Sequence, residues 1–415
     1  MMRVQLAFLL SAFLPLISFS TGGGSPYSRL GLGDLRYFGG TAAIGMANTG
    51  IAIVRPNEIS ALNPAAWAGI HRTRFDAGFL YEGFRTEDRQ GSVFQSSGNF
   101  SGLLFAIPVA PSQGLTVAGG FLPYSTTNYN IETAVSLFST PAVSHYYGDG
   151  GTSIATIGFS YDLTSDFHIG SRFNYIFGTL GFNTSLSFPQ ADEFFGGTAR
   201  KEISTYGVNF TFGAVVDSLG KLLSLKLLKS ASIGFIITTP SKLNLSSVTY
   251  YTYAQKKDTS ATTSSNVDLP FSLGIGIALP VAQRTLLAAD LFTQPWSKSK
   301  PLSSSSPFEN LHRIALGIEH SPSMEPGAPY FDRSEFRAGI FYSTLYETIN
   351  GNSLREYGLS GGIGLPLSSG TMMRISVEYA RRAPEGEDLT NDRIIRLAIM
   401  LSASERWFVR PEERQ

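Results

Sequence analysis

The chain has 415 residues, and 32 Lys+Arg balance 32 Asp+Glu, so its net charge is zero. That balance excludes the basic surface a nucleic-acid partner needs. Charged residues are only 15% of the chain, below the roughly 25% usual for soluble proteins, and the lack of cysteine excludes disulfide scaffolds, thiolate metal sites and lipoprotein anchoring.

Residues 1–20 read as a secretory signal peptide. Arg3 supplies the positive start, Val4 to Phe19 is an apolar run, and Ser18-Phe19-Ser20 is a small-x-small cleavage site. No later segment reaches the ~20 apolar residues of a spanning helix. A membrane protein with this sequence crosses the bilayer as a β-barrel.

Residues 21–71 are expected to form a periplasmic lead and a plug. The stretch 39–70, GGTAAIGMANTGIAIVRPNEISALNPAAWAGI, is small, apolar and poor in charge. Gly45, Gly50, Pro56 and the Asn63-Pro64 step interrupt it too often for one long helix. It has no strict alternation either, so it is not an ordinary strand. A compact, irregular, buried segment needs something around it, and a plug inside a barrel meets that need.

From Arg72 the pattern has period two. Ile157, Phe159 and Tyr161 oppose Thr156, Gly158 and Ser160. Phe173 and Tyr175 oppose Arg172 and Asn174. Val377 and Tyr379 oppose Ser376 and Glu378. One face is apolar and often aromatic, while the other carries glycine, hydroxyls and charges. This is the signature of a lipid-facing barrel strand. About fourteen such runs are legible, centred near Phe79, Leu104, Val117, Ile157, Phe173, Phe210, Phe235, Leu273, Leu287, Leu316, Ile340, Leu359, Ile375 and Leu397.

The expected fold is therefore all-β: a transmembrane antiparallel barrel of about fourteen strands over residues 72–402, with a short periplasmic tail over 403–415. Tight turns at Pro111-Ser112-Gln113, Thr164-Ser165, 280–283 and 366–370 follow even-numbered runs. Long polar connections at 86–98, 125–151, 189–201, 246–266 and 294–307 follow odd-numbered ones. This parity places both chain ends in the periplasm of an outer-membrane barrel. Trp407-Phe408 reads as an interface anchor.

Inward positions carry a charge cluster: Arg313, Glu319, Arg337, Arg374, Glu378 and Arg396. It is either an ion-pair network across the lumen or a site for an anionic head group. Gly207, Gly213, Gly234, Gly274, Gly276, Gly358 and Gly362 also point inward and leave room, most simply for the plug.

Enzyme signals are weak. Gly358-Leu359-Ser360-Gly361-Gly362 matches G-x-S-x-G, but mid-strand rather than at a strand–turn–helix elbow. The histidines are scattered, without metal-ligand spacing. His312 and Glu319 could meet in the lumen, though ordinary packing explains both. No catalytic residue, metal site or cofactor is expected.

The run Gly45-Met46-Ala47-Asn48-Thr49-Gly50, followed by Asn63-Pro64-Ala65, resembles the N-terminal hatch of the FadL/OmpP1/TodX outer-membrane transport proteins. The opening Ser25-Pro26-Tyr27-Ser28-Arg29-Leu30-Gly31-Leu32-Gly33-Asp34 is similar to a FadL-like subgroup of the Bacteroidetes. The resemblance implies a plugged barrel that moves hydrophobic or amphipathic, fatty-acid-like molecules across the outer membrane. It also implies a gap in the wall beside the third strand. Here Gly119-Gly120 weaken pairing in that strand and Pro123 lacks a ladder donor. The three either form a lateral window or Pro123 merely ends the strand at the rim.

The expected surroundings are outer-membrane lipid and a hydrophobic small-molecule ligand, around a monomeric barrel. A different class stays open: a non-transporting carrier or scaffold subunit of a secretion or outer-membrane assembly complex with partner proteins. A general porin is disfavoured because the plug would block it.

Overall fold

Alternating apolar and polar residues become wall when every backbone polar group pairs with a neighbouring strand and no edge is left open. The computed structural model describes residues 22–37, 40, 43–89, 91–137, 139–190, 195–220, 230–254, 256–299, 307–323, 325, 327–368, 370–386 and 390–405. The signal peptide, Trp407-Phe408 and most of the 403–415 tail lie outside the described residues.

Among those residues one sheet has nineteen segments; apart from Asp34–Leu35 of the lead and the short strand Lys256–Thr259, they merge into a closed antiparallel barrel of fourteen strands. They are β1 (Thr73–Asp88), β2 (Gly91–Ala110), β3 (Leu115–Thr126, extended by Tyr129–Leu137), β4 (Thr140–Thr164) and β5 (Phe167–Ser187). Next come β6 (Gly197–Val216), β7 (Ser232–Thr238 and Ser241–Tyr253), β8 (Thr263–Leu269 and Ser272–Ala282), β9 (Thr285–Gln294) and β10 (Leu311–His320). The last are β11 (Glu335–Ile349), β12 (Asn352–Ser368), β13 (Thr371–Pro384) and β14 (Asn391–Glu405). β14 closes the barrel on β1, from Thr73 opposite Glu405 to Glu87 opposite Asn391. Each expected run centre lies in its own strand. The last strand continues past the expected boundary at 402.

The apolar face points outward, with Ile157, Phe159, Phe173, Val377 and Tyr379 all exposed. Their partners Thr156, Asn174, Ser376 and Glu378 are buried. The barrel therefore belongs in the Gram-negative outer membrane. A hydrocarbon core favours this outward apolar band, where water would favour the reverse.

The wall is uneven in height. β4 has 25 residues, whereas β9 and β10 have 10 each. Several connections expected as loops are strand instead. Residues 246–253 pair with β6 and the short strand Lys256–Thr259. Tyr129–Leu137 forms a hairpin with β4. Beyond the bilayer both faces of a strand meet water, so alternation fades while the hydrogen-bond ladder continues. That polarity is what a loop also shows.

Candidate functional site: a lumen closed at both ends

The plug occupies the short-turn half of the lumen. It is built from the 3-10 turns Ala43–Met46 and Pro64–Gly69, joined by irregular chain. Asn63 holds the second turn. Its Oδ1 accepts from the Ala65 amide at 3.0 Å, and its Nδ2 donates to the Ile51 carbonyl at 2.7 Å and to the β6 carbonyl of Ala214 at 3.2 Å. Pro64, at the first position of the turn, has no amide left unpaired there.

The wall receives the plug at glycines. A Cβ at Gly213 would strike Asn63 and Pro64, one at Gly170 would strike Pro64 and Ala65, and one at Gly339 would lie 2.5 Å from the Met46 carbonyl carbon. Gly45 faces Gly362 and Ser376, and Gly234, Gly274 and Gly276 face Ile51 and Ala52. Gly207 and Gly358 differ: they face wall side chains, Leu243 and Phe341. Met46 and Ala65 are fully buried. Asp290 of β9 accepts the Gly50 amide at 2.7 Å and the Ile51 amide at 3.0 Å. Asp76 of β1 accepts the Ile59 amide at 2.9 Å. Both aspartates were missed in the sequence, although each has inward parity in its strand.

The lumen charges sort into two groups. At the plug, Arg337 meets Glu58 at 2.7 Å, Glu319 at 2.9 Å and Glu335 at 2.7 Å. Arg55 meets Glu319 at 2.5 Å, and Arg374 meets Glu335 at 3.0 Å. Burial alone pushes the Glu58 carboxyl up. Arg337, then Arg55 and Arg374, outweigh that and hold it at about 2. Nearer the long loops, Arg396 meets Glu378 at 2.5 Å, Glu356 at 2.9 Å and Glu82 at 3.0 Å. Arg382 meets Glu356 and Asp34, each at 2.7 Å, and Arg36 pairs with Glu82.

Five of the six expected cluster residues are thus ion-paired. Arg313 is not. It lies over Phe341, 3.9 Å from the ring centre, and donates to the Ala47 carbonyl at 3.2 Å. His312 points outward and Glu319 inward, because an odd separation in a strand puts them on opposite faces, so they do not meet. Ser360 Oγ accepts from the Ala47 amide at 2.8 Å, as a plug contact. The described residues hold no group of three or more metal-ligating side chains.

The lead corrects another expectation. Residues 25–36 lie inside the lumen at the long-loop end, opposite the plug, rather than on the periplasmic side. Ser25 Oγ donates to Asp392 at 2.5 Å, Ser28 Oγ accepts the Asn128 amide at 3.0 Å, and the Leu32 amide donates to Tyr346 Oη at 2.9 Å. Those partners stand at the loop ends of β14, β3 and β11. Leu32 also joins a buried apolar cluster with Ile176, Leu243, Leu269, Trp296 and Tyr346 that fills the upper lumen. The charges at Asp34 and Arg36 are what anchor the lead, a non-local pairing the local pattern cannot reveal.

Between lead and plug lies a cavity of about 220 Å³. Tyr37 and Leu62 enclose it from the chain's N-terminal part, and Arg172, Asn209, Phe292 and Arg313 line it from the wall.

Beside it the wall's hydrogen-bond ladder is interrupted. The β2–β3 ladder runs from Ala110 opposite Leu115 to Leu103 opposite Phe121 and stops there. Gly119 and Gly120 lie below that point and are fully paired, to Phe105 and Leu104 on one side and Ile157 and Thr156 on the other. Gly120 has φ +149°, and a Cβ on it would strike the Leu103 carbonyl. Above Phe121, β3 stays on β4 with a bulge between Pro123 and Ser125. Its other edge pairs not with β2 but with the lead, Leu35 opposite Ser125 and Asp34 opposite Thr126. A pocket of about 300 Å³ remains in the wall, lined by Asn99, Phe100, Phe121, Pro123 and Ser153 among others. Arg36, Leu80, Ser101 and Leu122 line both this pocket and the lumen cavity, so the two adjoin.

A family model described as BamG matches residues 1–412. The chain belongs to the BamG family. No curated protein matches it. Among solved structures, a FadL homologue of Pseudomonas aeruginosa is 14% identical with a TM-score of 0.60, covering 90% of this chain and 99% of that one. The monoaromatic hydrocarbon channel CymD is 15% identical with a TM-score of 0.57, over 90% of this chain and 98% of that one. The Pseudomonas putida toluene transporter TodX is 14% identical with a TM-score of 0.57, over 90% of this chain and all of that one, 100%. This BamG family member therefore shares the FadL-type barrel fold, and identities this low carry the fold alone.

Proposed function

We propose that the barrel passes small hydrophobic or amphipathic molecules between its lumen and the outer leaflet or core of the outer membrane. The observation that carries this is the side pocket adjoining a cavity that lead and plug close from above and below. Gly119 and Gly120 let β3 pass close to its neighbours, and a bulge interrupts it at Pro123. A greasy solute keeps its apolar surface out of water along such a side route, worth roughly 25 cal/mol per Å². The similar solved proteins that are named as hydrocarbon or toluene carriers support the reading by fold.

The test is uptake of a monoaromatic or medium-chain fatty acid by cells carrying the native chain, no chain, or Ser153→Trp. Ser153 lines the pocket, and an indole there fills it. Uptake should depend on the native chain and fall with Ser153→Trp. Equal uptake by native and filled barrels removes the side route.

One observation favours a second reading, a carrier or scaffold subunit of a larger outer-membrane complex. The tall wall exposes Tyr146, Tyr147, Tyr250, Tyr251 and Tyr253 near or beyond its loop-side rim, and aromatic residues are enriched in protein interfaces. Purification of the native protein in mild detergent distinguishes the two. Stoichiometric partners lost on Tyr250→Ser plus Tyr251→Ser support the subunit role. A solitary barrel supports transport.

A further inference from the structure

The outward face of the wall is not evenly filled. On β4 to β6 large side chains cover it, among them Ile157, Phe159, Phe173 and Phe210, all exposed. On β8 to β12 small residues break the lipid-facing rows, and a groove of about 650 Å³ lies there. Ala289 of β9 stands opposite Leu316 of β10, and Ala338 of β11 stands opposite Ile318 of β10. Leu316 and Ile318 therefore form a ridge with a dip on each side. The second dip runs on past Ala338 to its partner Gly361 of β12, where a Cβ would meet nothing nearer than the Arg337 carbonyl oxygen at 3.8 Å.

The groove ends at the periplasmic rim on a polar foot. Thr285 and His320 stand opposite each other, one step below Leu287 and Ile318 on the same face. Thr285 Oγ1 and His320 Nδ1 are 3.1 Å apart. Arg284, in the turn before β9, donates from Nη2 to His320 Nε2 at 3.1 Å and to the Asp332 carbonyl at 3.0 Å, and from Nε to the Ser321 carbonyl at 3.0 Å. These bonds fasten the β8–β9 turn to the β10–β11 turn. They hold the guanidinium by neutral groups alone, and Nη1 takes part in none of them. Glu325 and Asp332 share the β10–β11 turn, but among the described residues neither carboxylate lies within ion-pair distance of Arg284 or Arg333. Arg333 is a second cation on that turn, 5.8 Å from the centre of the Tyr330 ring. Tyr330 and Phe331 beside it are exposed, as aromatic residues at a membrane interface are.

We infer that this groove binds one two-chain glycerophospholipid of the periplasmic leaflet. Its acyl chains lie on either side of the Leu316–Ile318 ridge, and its phosphate meets Arg284, with Arg333 nearby. Three observations select this occupant. The groove faces the hydrocarbon, so what fills it is apolar. A ridge between two dips suits two chains better than one. At the foot, where head groups lie, a guanidinium without a carboxylate has N–H donors to give to phosphate oxygens. The leaflet already supplies phosphate at that depth, whereas a protein neighbour would have to bring a carboxylate to it. The site is on the outside of the wall and is independent of any route through the lumen.

The test is native mass spectrometry of the full chain in mild detergent. Dioleoyl phosphatidylglycerol, dioleoylglycerol and single-chain oleoyl lysophosphatidylglycerol are titrated in turn. One phosphatidylglycerol per barrel is expected, bound at concentrations about tenfold or more below dioleoylglycerol, as a charge-assisted hydrogen bond implies. The single-chain lipid should bind more weakly than phosphatidylglycerol. Arg284→Gln should abolish the preference for phosphate and leave dioleoylglycerol unchanged. Ala289→Leu with Ala338→Leu fills both dips without touching the polar foot, and should abolish binding of phosphatidylglycerol. A mobility shift on heating before electrophoresis confirms that each variant is a closed barrel. Binding that survives the filled dips overturns the site. Equal binding of phosphatidylglycerol and dioleoylglycerol overturns the role of Arg284, and equal binding of the single-chain lipid overturns the two-chain assignment. A second barrel or another protein that is bound to the native chain and lost from the filled variant overturns the lipid as occupant.

Discussion

Replacing Arg337 with Met tests what holds the plug. The guanidinium lies within 2.9 Å of three carboxylates, Glu58 of the plug and Glu319 and Glu335 of the wall, and all four side chains are 6% exposed or less. Methionine keeps much of the volume and removes the charge. Breaking a buried pair from one side costs about 3–5 kcal/mol. Arg55 and Arg374 still reach these carboxylates, which puts the cost near the low end, ~3 kcal/mol. At 1.4 kcal/mol per factor of ten, the plug should detach about a hundredfold more often. Hydrogen exchange reads this at the Gly50, Ile51 and Ile59 amides, which Asp290 and Asp76 hold only while the plug is docked. Exchange there should speed up about a hundredfold, with strand amides in β5 and β6 unchanged. Unchanged plug exchange in a variant that still forms a heat-modifiable barrel refutes the claim that this cluster is the clamp.

The Glu58 carboxyl is held at about 2, below its unfolded value. Its stabilisation is therefore fully present above the unfolded pKa of about 4.3 and is lost as pH falls through 2. The protection of the plug amides, corrected for intrinsic exchange, should fall as pH drops from about 5, and Glu58→Gln should weaken that dependence. Gly213→Val should leave the barrel closed but raise its conductance to small ions, because the side chain takes the space of Asn63; unchanged conductance in a folded barrel would falsify the fit of plug to wall. Asn63→Ala removes a turn cap and two plug-to-backbone bonds, and should lower plug stability by roughly 1–2 kcal/mol, read as faster exchange at Ala65 and Ala66.

Much of the barrel was legible because a lipid-facing strand encodes its orientation locally. Ile375, Val377 and Tyr379 declare the outside, and Arg374, Ser376 and Glu378 the inside, without reference to any other strand. The same parity marked Arg337 and Arg396 as lumen residues. It could not say that Arg337 meets Glu58, which lies far away in sequence, or that Arg313 rests on Phe341 and the Ala47 carbonyl. Those facts depend on which strands face each other across the lumen. The same parity holds at Asp76, Glu82, Asp290, Glu356 and Arg382, all of which the structure buries in the lumen. The position of the lead at 25–36 is not legible locally because it is fixed by Asp34–Arg382 and Ser25–Asp392, contacts made with the last two strands. The sequence marks Gly119, Gly120 and Pro123 as the window, and Pro123 does line the side pocket. In the structure those glycines sit tightly in the ladder, and the opening begins above them, where the lead takes β3's edge from β2.

The central claim is a side opening between β2 and β3 that joins the lumen to the bilayer. A cryo-electron microscopy structure in native-lipid nanodiscs tests it most directly. The account predicts that the β2–β3 ladder ends at Leu103 and Phe121, with acyl-chain density passing between Phe100 and Phe121 to Leu122. A continuous ladder from β2 through Leu122 to Thr126, sealing the wall there, contradicts it.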